Sequence, residues 1–165
     1  MSKIIFFIMA NFPLTFTIIG LITAGINIIK KHSFLSISEK SYIVLKWFLI
    51  FSIGVSYFYN FVCHVFFGDI SARFIGWLQS PFQAEVGWAS LGFSVLGFIA
   101  ALRNSRETQV GIIIAVACFM WGAAFGHIYQ MITAGNFAPG NAGIMFWCDI
   151  FMPIFGFLLL WMTRK

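Results

Sequence analysis

Five apolar stretches in the sequence are each long enough to cross a lipid bilayer as a helix. A hydrocarbon core about 30 Å thick needs roughly 20 apolar residues in helical form. Helices satisfy their own backbone hydrogen bonds, which lipid cannot do. The pattern therefore predicts an all-α, five-helix transmembrane bundle that forms one domain over residues 1–165, with helices at about 4–29, 42–67, 82–102, 110–133 and 143–162.

The composition excludes a water-soluble domain. Hydrophobic residues make up 61% of the chain and charged residues only 9%, whereas about a quarter of a soluble domain is charged. The formal net charge of +5 comes from ten basic residues that form no patch interleaved with aromatics, so nucleic acid is not expected as a partner. The three cysteines have no CxxC spacing, which argues against a zinc ribbon. The expected partner is the lipid bilayer.

The basic residues indicate how the bundle is oriented. Eight of the ten Lys and Arg residues fall on one side of the predicted spans, and only Lys3 and Arg73 fall on the other. Because basic loops are retained in the cytoplasm, we expect the N-terminus outside and the C-terminus inside. The expected location is a bacterial cytoplasmic (inner) membrane.

The connections carry signals of their own. Residues 68–80 mix apolar and polar side chains and predict an interfacial amphipathic segment on the outer face. Ser80, followed by a proline and by Gln83, predicts a capping box at the start of the third span. Asn104 and Glu107 suggest a similar cap for the fourth span.

Four ionisable side chains lie inside the predicted spans, where each costs about 2.5–3.5 kcal/mol at the bilayer centre. His64 and Glu85 lie roughly 5 Å inside the outer boundary, and His127 and Asp149 roughly 9 Å inside it. They come from four different helices that alternate in direction, so chain order does not force a common depth. We therefore expect one polar cluster in the outer leaflet.

Further residues are expected to support this cluster. Asn60 precedes His64 by four residues, and Gln130 follows His127 by three, so each can share a helix face with its histidine. Gln83 and Asn141 are assigned to the same supporting set. A GxxxG pair allows close approach of another helix and suggests a homo-oligomer contact; it consists of Gly122 and Gly126.

Several motifs resemble a family of small, multi-pass, mostly bacterial membrane proteins that is classed as a domain of unknown function. They are Ile75-Gly76-Trp77, Ser80-Pro81-Phe82-Gln83, Glu85-Val86-Gly87, Gly126-His127-Ile128-Tyr129-Gln130, and residues 136–143 followed by Asp149 and Pro153. The resemblance covers roughly residues 60–155. It implies a membrane location and supplies no activity, and its motifs include three of the four ionisable residues.

Three functions remain open from the sequence. Two imidazoles and two carboxylates from four helices are ligands that bundles use for a transition metal, and imidazole also binds haem. Histidines and carboxylates in chains also serve proton-coupled transport or relay. The third alternative is a structural or accessory subunit whose polar cluster only joins helices. No Glu-x-x-His pair and no hydrolase motif is present, so catalytic residues cannot be named.

The uneven distribution of Lys and Arg residues between the two sides of the membrane predicts the topology directly. A reporter fused after Lys165 should be cytoplasmic, and one inserted at Asn136 should be external, because the basic loops stay inside. Paired alkaline phosphatase and fluorescent-protein fusions measure this. The reverse pattern would place the polar cluster in the inner leaflet instead.

Overall fold

The computed structural model describes residues 3–31, 34–103 and 105–164, with side chains from residue 7 onward, and the regular structure in these ranges is helical. Five helical segments are long and apolar enough to cross a membrane, which confirms the predicted all-α bundle. The helices are α1 (Lys3–Ala10), α2 (Phe12–Lys30), α3 (Ile37–Phe48), α4 (Ser56–Phe66), α5 (Gly68–Ile75), α6 (Phe82–Arg103), α7 (Arg106–Ala134), α8 (Pro139–Ala142) and α9 (Ile144–Met162). Lys165 and Asn104 lie outside the described residues.

The first predicted span is interrupted. A single helix was expected over residues 4–29, but α1 ends before Asn11 and the membrane-spanning helix α2 begins at Phe12. Pro13 lies in the first turn of α2, where its missing N–H costs no intrahelical hydrogen bond. The Asn11 side-chain amide donates to the Phe7 carbonyl at 2.8 Å. Hydropathy did not show this break, because both sides of it are apolar.

The second span starts earlier than the expected residue 42. Ser36 and Glu39 form a capping box: the Glu39 N–H donates to the Ser36 hydroxyl oxygen at 3.2 Å, and the Ser36 N–H donates to the Glu39 carboxylate at 2.8 Å. This satisfies amide donors that the first turn would leave free. The helix then continues without a gap to Phe66. The charged first turn concealed its start from a hydropathy pattern.

Residues Leu49–Val55 form a π-helical segment between α3 and α4. Its polar groups bond to neighbouring helices: the Ser94 hydroxyl donates to the Gly54 carbonyl at 2.7 Å, and the Thr17 hydroxyl donates to the Ser52 hydroxyl at 2.8 Å. Short π-helical insertions occur often at functional sites. Here the segment ends directly before Ser56 and Tyr57, which line the cavity described below.

Helix α6 packs closely against the π-helical segment and α4. A Cβ atom on Gly97 would lie 2.8 Å from Ile53 Cγ2 and 3.0 Å from the Gly54 backbone nitrogen. A Cβ atom on Gly87 would lie 2.5 Å from Val65 Cγ2. Glycine at these positions therefore lets the helix backbones approach more closely than any side chain would allow.

The hydrophobic core lies towards the end of the bundle where α6 turns into α7. There α3, α7 and α9 contribute fully buried side chains such as Leu45, Ile113 and Leu159. The Arg106 guanidinium donates to the Thr163 hydroxyl at 2.8 Å and also to the Leu160 carbonyl, which ties the start of α7 to the end of α9. The bundle is thus tightly joined at this end.

The opposite end is covered by residues 68–80 and 135–143, which we call the roof. The Asn136 side-chain amide donates to the Ile75 carbonyl at 3.0 Å and to the Gly76 carbonyl at 3.3 Å, which joins the two parts. Gly76 has a φ of 80°, a conformation that glycine adopts without strain. Residues 68–75 form helix α5 within the expected interfacial segment.

Two capping predictions need correction. Among the described hydrogen bonds, the Ser80 side chain caps no helix, and the Gln83 side chain bonds to His64 instead of closing a capping box. At the start of α7 the cap is Ser105, whose hydroxyl accepts from the Thr108 N–H at 3.3 Å. At the start of α6, the Gln83 side chain contacts His64 inside the bundle, so it does not cap its own helix.

Close packing at Gly97 predicts a specific loss of stability. Gly97→Leu should destabilise the bundle by about 1–3 kcal/mol, because the new side chain meets the Gly54 backbone. Gly92→Leu is the matched control on the same helix, since a Cβ there meets nothing within 4 Å. Thermal unfolding in detergent compares the two. Equal melting temperatures would show that the α6 interface is loose.

Candidate functional site

A large cavity lies beneath the roof, between α2, α4, α6, α7 and α9. Its volume is about 1020 Å³, at the upper end of the range for small-molecule sites. Most of its lining is aliphatic or aromatic. The ionisable and amide side chains that also line it include Asn60, His64, Arg73, Gln83, His127 and Asp149.

His127 on α7 is held by Asn141 on α8. The Asn141 side chain is fully buried, and its amide nitrogen donates to the Asn136 carbonyl at 2.8 Å and to the His127 carbonyl at 3.2 Å. These two bonds orient the amide, so its Oδ1 must be the atom that lies 2.7 Å from His127 Nδ1. An amide oxygen only accepts. His127 therefore carries a proton on Nδ1, and a neutral His127 has its lone pair on Nε2.

Asp149 on α9 faces the free nitrogen of His127. The His127 Nε2 to Asp149 Oδ2 distance is 3.6 Å, and the two side chains are only 9% and 17% exposed. This is too long for a direct hydrogen bond. The Asp149 carboxyl has no hydrogen-bond donor among the described residues. An isolated carboxylate inside a membrane costs several kcal/mol, so the pair holds a further proton, on Asp149 or on His127 Nε2.

Trp77 covers His127 from the roof. The two rings lie 5.8 Å apart between centroids and are tilted by 37°. Trp77 belongs to the non-helical part of residues 68–80 that follows α5, and it also lines the cavity. Trp77 stands in a motif of the sequence without an expected role. Tyr57, which also lines the cavity, is not singled out by the sequence, because a tyrosine in an apolar span gives no signal of its own.

His64 on α4 lines another part of the same cavity, and of the residues expected to support the cluster it contacts Gln83 rather than Asn60. Its Nδ1 lies 2.5 Å from the Gln83 Oε1 atom, across to the start of α6. Asn60 was expected to support it, but the Asn60 amide donates to the Ser90 hydroxyl at 2.9 Å. Both polar groups therefore join α4 to α6.

Glu85 does not join the cluster. Its side chain is exposed, and among the described residues it makes no hydrogen bond or ion pair. Successive residues on a helix diverge by about 100°, and α6 turns its neighbours Gln83 and Val86 towards the cavity. The expectation that Glu85 faces the bundle interior is wrong, because membrane depth places a residue along the helix axis and says nothing about its direction around it.

The remaining expectations concern Gln130 and the glycine pair. Among the described contacts, the Gln130 side chain does not bond to His127, which uses Asn141 instead. Gly122 and Gly126 line the cavity, and a Cβ atom on either would meet nothing within 4 Å. No helix of the described chain packs on the pair, and a homo-oligomer contact through it stays a prediction.

The structure supplies only part of the ligand set that the predicted metal site would need. In residues 3–31, 34–103 and 105–164, no three or more His, Cys, Asp or Glu side chains come together in a way that could hold a metal ion. His127 and Asp149 could supply two ligands. The four-residue cluster expected from the sequence is therefore reduced to one close pair and a separate histidine on the same cavity.

Five apolar spans around a cavity define this chain as a multi-pass integral membrane protein. The chain belongs to a family of unknown function, DUF6790, whose family model matches residues 10–165. This confirms the resemblance to a domain-of-unknown-function family. No curated protein and no solved structure matches the chain.

The Asn141 contact predicts the proton position on His127. In wild-type protein a neutral His127 should be protonated on Nδ1, whereas Asn141→Ala removes the acceptor and should give a mixture of both tautomers. Nitrogen-15 NMR of labelled histidine distinguishes the two forms. The His64 signals are the internal control, because its partner Gln83 is unchanged. A wild-type His127 protonated on Nε2 would contradict the assignment.

Proposed function

We propose that this protein binds a lipid-soluble small molecule in the cavity beneath the roof. The observation that carries the proposal is the cavity itself, about 1020 Å³ in volume and lined mainly by apolar side chains with a few convergent polar groups. This combination is typical of ligand sites. Such a lining favours a molecule that is mostly apolar and has one small polar end.

The position of the mouth supports entry from the membrane. Phe82 on α6 is 60% exposed, and Cys118 and Gly122 on α7 are also exposed, yet all three line the cavity. Residues with both properties mark an edge where a cavity reaches the surface, and a second such edge lies at α1 and around α5, with Met9, Phe67, Ile70 and Arg73. In the topology proposed from the basic residues, this gap between α6 and α7 faces the outer leaflet, where an apolar ligand is dissolved.

Asp149 argues against a purely structural cluster. Several other polar groups in the bundle form hydrogen bonds between helices, as Ser94 does with Gly54 and Asn60 with Ser90. Asp149 has no hydrogen bond among the described residues, and its near partner is His127 Nε2 at 3.6 Å. A buried carboxyl that faces a cavity with no donor in reach is better explained by a ligand than by packing.

The other functions have less support. A metal or haem would find His127 and Asp149 as ligands, but the described residues supply no third one nearby. Transport needs a path to the opposite face of the bundle, whereas in that direction the cavity ends against buried residues such as Phe48 and Ile113. The proposal for transport or relay therefore requires a conformational change, and binding requires none.

Filling the cavity tests the proposal. In nanodiscs, an alkyne-tagged medium-chain alkane with a diazirine should label cavity residues such as Met120, Met145 and Met152 on illumination. Labelling should fall several-fold when Gly122→Phe and Gly126→Phe are combined, because both positions line the cavity and a Cβ atom at either meets nothing within 4 Å. Mass spectrometry of the labelled peptides gives the measurement.

A matched double variant controls for the added bulk. Gly92→Phe with Gly111→Phe adds the same side chains at two helix positions that have equally open space but do not line the cavity. Its labelling should equal that of the wild type. If the cavity-filling variant is also labelled like the wild type, or if the labels lie outside the cavity, the proposed function is wrong.

A further inference from the structure

We propose that the polar end of the ligand is a neutral hydroxyl group, an alcohol or a phenol, bound between His127 and Asp149. This inference rests on the proposed binding function and specifies the chemistry of the ligand. It follows from the distance between two cavity-lining atoms, from the tautomer that Asn141 imposes, and from the charges around the cavity.

The distance allows one oxygen to contact both atoms from beside the pair. His127 Nε2 and Asp149 Oδ2 are 3.6 Å apart, too close for an atom between them, but an oxygen on the cavity side of the pair can lie about 2.8 Å from each. Both residues line the cavity. Neither Nε2 nor Oδ2 has a hydrogen bond to a described residue. The gap therefore matches a single small polar group.

The tautomer determines what that group must do. Because the His127 Nδ1–H donates to the Asn141 Oδ1 atom, neutral His127 presents an acceptor at Nε2. When the further proton of the pair is on Asp149, a ligand hydroxyl donates a hydrogen bond to Nε2 and accepts one from the Asp149 carboxyl; when that proton is on Nε2, the two directions are reversed. The hydroxyl satisfies both members of the pair in either arrangement. An ether or a ketone accepts only, and it would leave one member of the pair without a donor.

The surrounding charges disfavour an ionised ligand. An anionic headgroup would face Asp149, and the only Lys or Arg in the described lining is Arg73, an exposed residue of the roof. A cationic headgroup would require an ionised Asp149, and a buried ion pair must repay the desolvation of both charges. A neutral hydroxyl avoids both costs.

The rest of the ligand follows from the shape of the lining. Gly122 and Gly126 leave open space along α7 on the way from His127 to the mouth. Met120, Met152 and Ile113 form an apolar surface on the other side of the pair, deeper in the bundle. An alkyl or isoprenoid chain fits both regions, because neither offers hydrogen bonds.

Four photoreactive probes with the same medium-length chain test the headgroup. They carry a primary alcohol, its methyl ether, a carboxylate or a primary amine, and labelling of cavity peptides in nanodiscs is compared at equal concentration. One net hydrogen bond contributes about 1 kcal/mol, a factor of roughly five in affinity. The alcohol should therefore label at least about fivefold more efficiently than the ether, and more than either charged probe.

Substitutions at Asp149 and His127 test whether these two residues cause the preference for the alcohol over the ether. Asp149→Leu should reduce the alcohol-to-ether ratio to about one while ether labelling persists, because only the hydroxyl contact is lost. Should that variant fold poorly, His127→Phe is the second test of the same ratio. Asp69→Asn changes a carboxyl on α5 that does not line the cavity, and its ratio should remain that of the wild type.

The outcomes separate this inference from the proposed function. Equal labelling by alcohol and ether, blocked in both cases by the combined Gly122→Phe and Gly126→Phe substitutions, would overturn the hydroxyl and leave the cavity as a ligand site. Stronger labelling by the carboxylate or the amine would overturn the neutral headgroup. If none of the probes labels the cavity, both the inference and the proposed function fail.

Discussion

Lipid offers no hydrogen bonds, and the structure depends on that constraint more than on any single contact. Polar groups inside the bilayer must find partners within the protein or lose several kcal/mol. Ser94 and Gly54, Asn60 and Ser90, and His127 and Asn141 meet this demand between different helices or helical segments. Each bond therefore joins elements as well as satisfying a group. Among the described residues the Asp149 carboxyl lacks such a bond, as do the buried indole nitrogens of Trp47 and Trp77.

The cavity is a consequence of unequal packing along the bundle. Small residues bring α6 onto the π-helical segment and α4, and the Arg106 contacts bring α7 and α9 together at the far end. Towards the roof, Gly122 and Gly126 meet no neighbouring helix. Glycine therefore has opposite effects at the two levels of the bundle. On α6 it allows neighbouring helices to pack closely, and on α7 it leaves open volume that becomes part of the cavity.

The candidate site was only partly predictable. Depth along each helix follows from counting residues, and it correctly placed His127 and Asp149 at one level. Direction around the helix axis depends on which neighbours a helix packs against, and for this reason Glu85 was wrongly expected inside. The partners of His64 and His127 are Gln83 on α6 and Asn141 on α8, and the sequence placed both in the supporting set without assigning either to a histidine. Asn60 and Gln130, which i,i+3 and i,i+4 spacing assigned to these histidines, bond to neither of them among the described residues.

Hydropathy and helix geometry by themselves determined that this chain forms five membrane-spanning helices with polar residues near one end, because the length of an apolar stretch is set by the thickness of the bilayer. The tertiary structure alone decided that His127 meets Asp149 across a gap of 3.6 Å and that a cavity opens beside them. Those features depend on helix rotation and on the fold of the roof. Both result from packing between segments distant in sequence, which local periodicity does not encode.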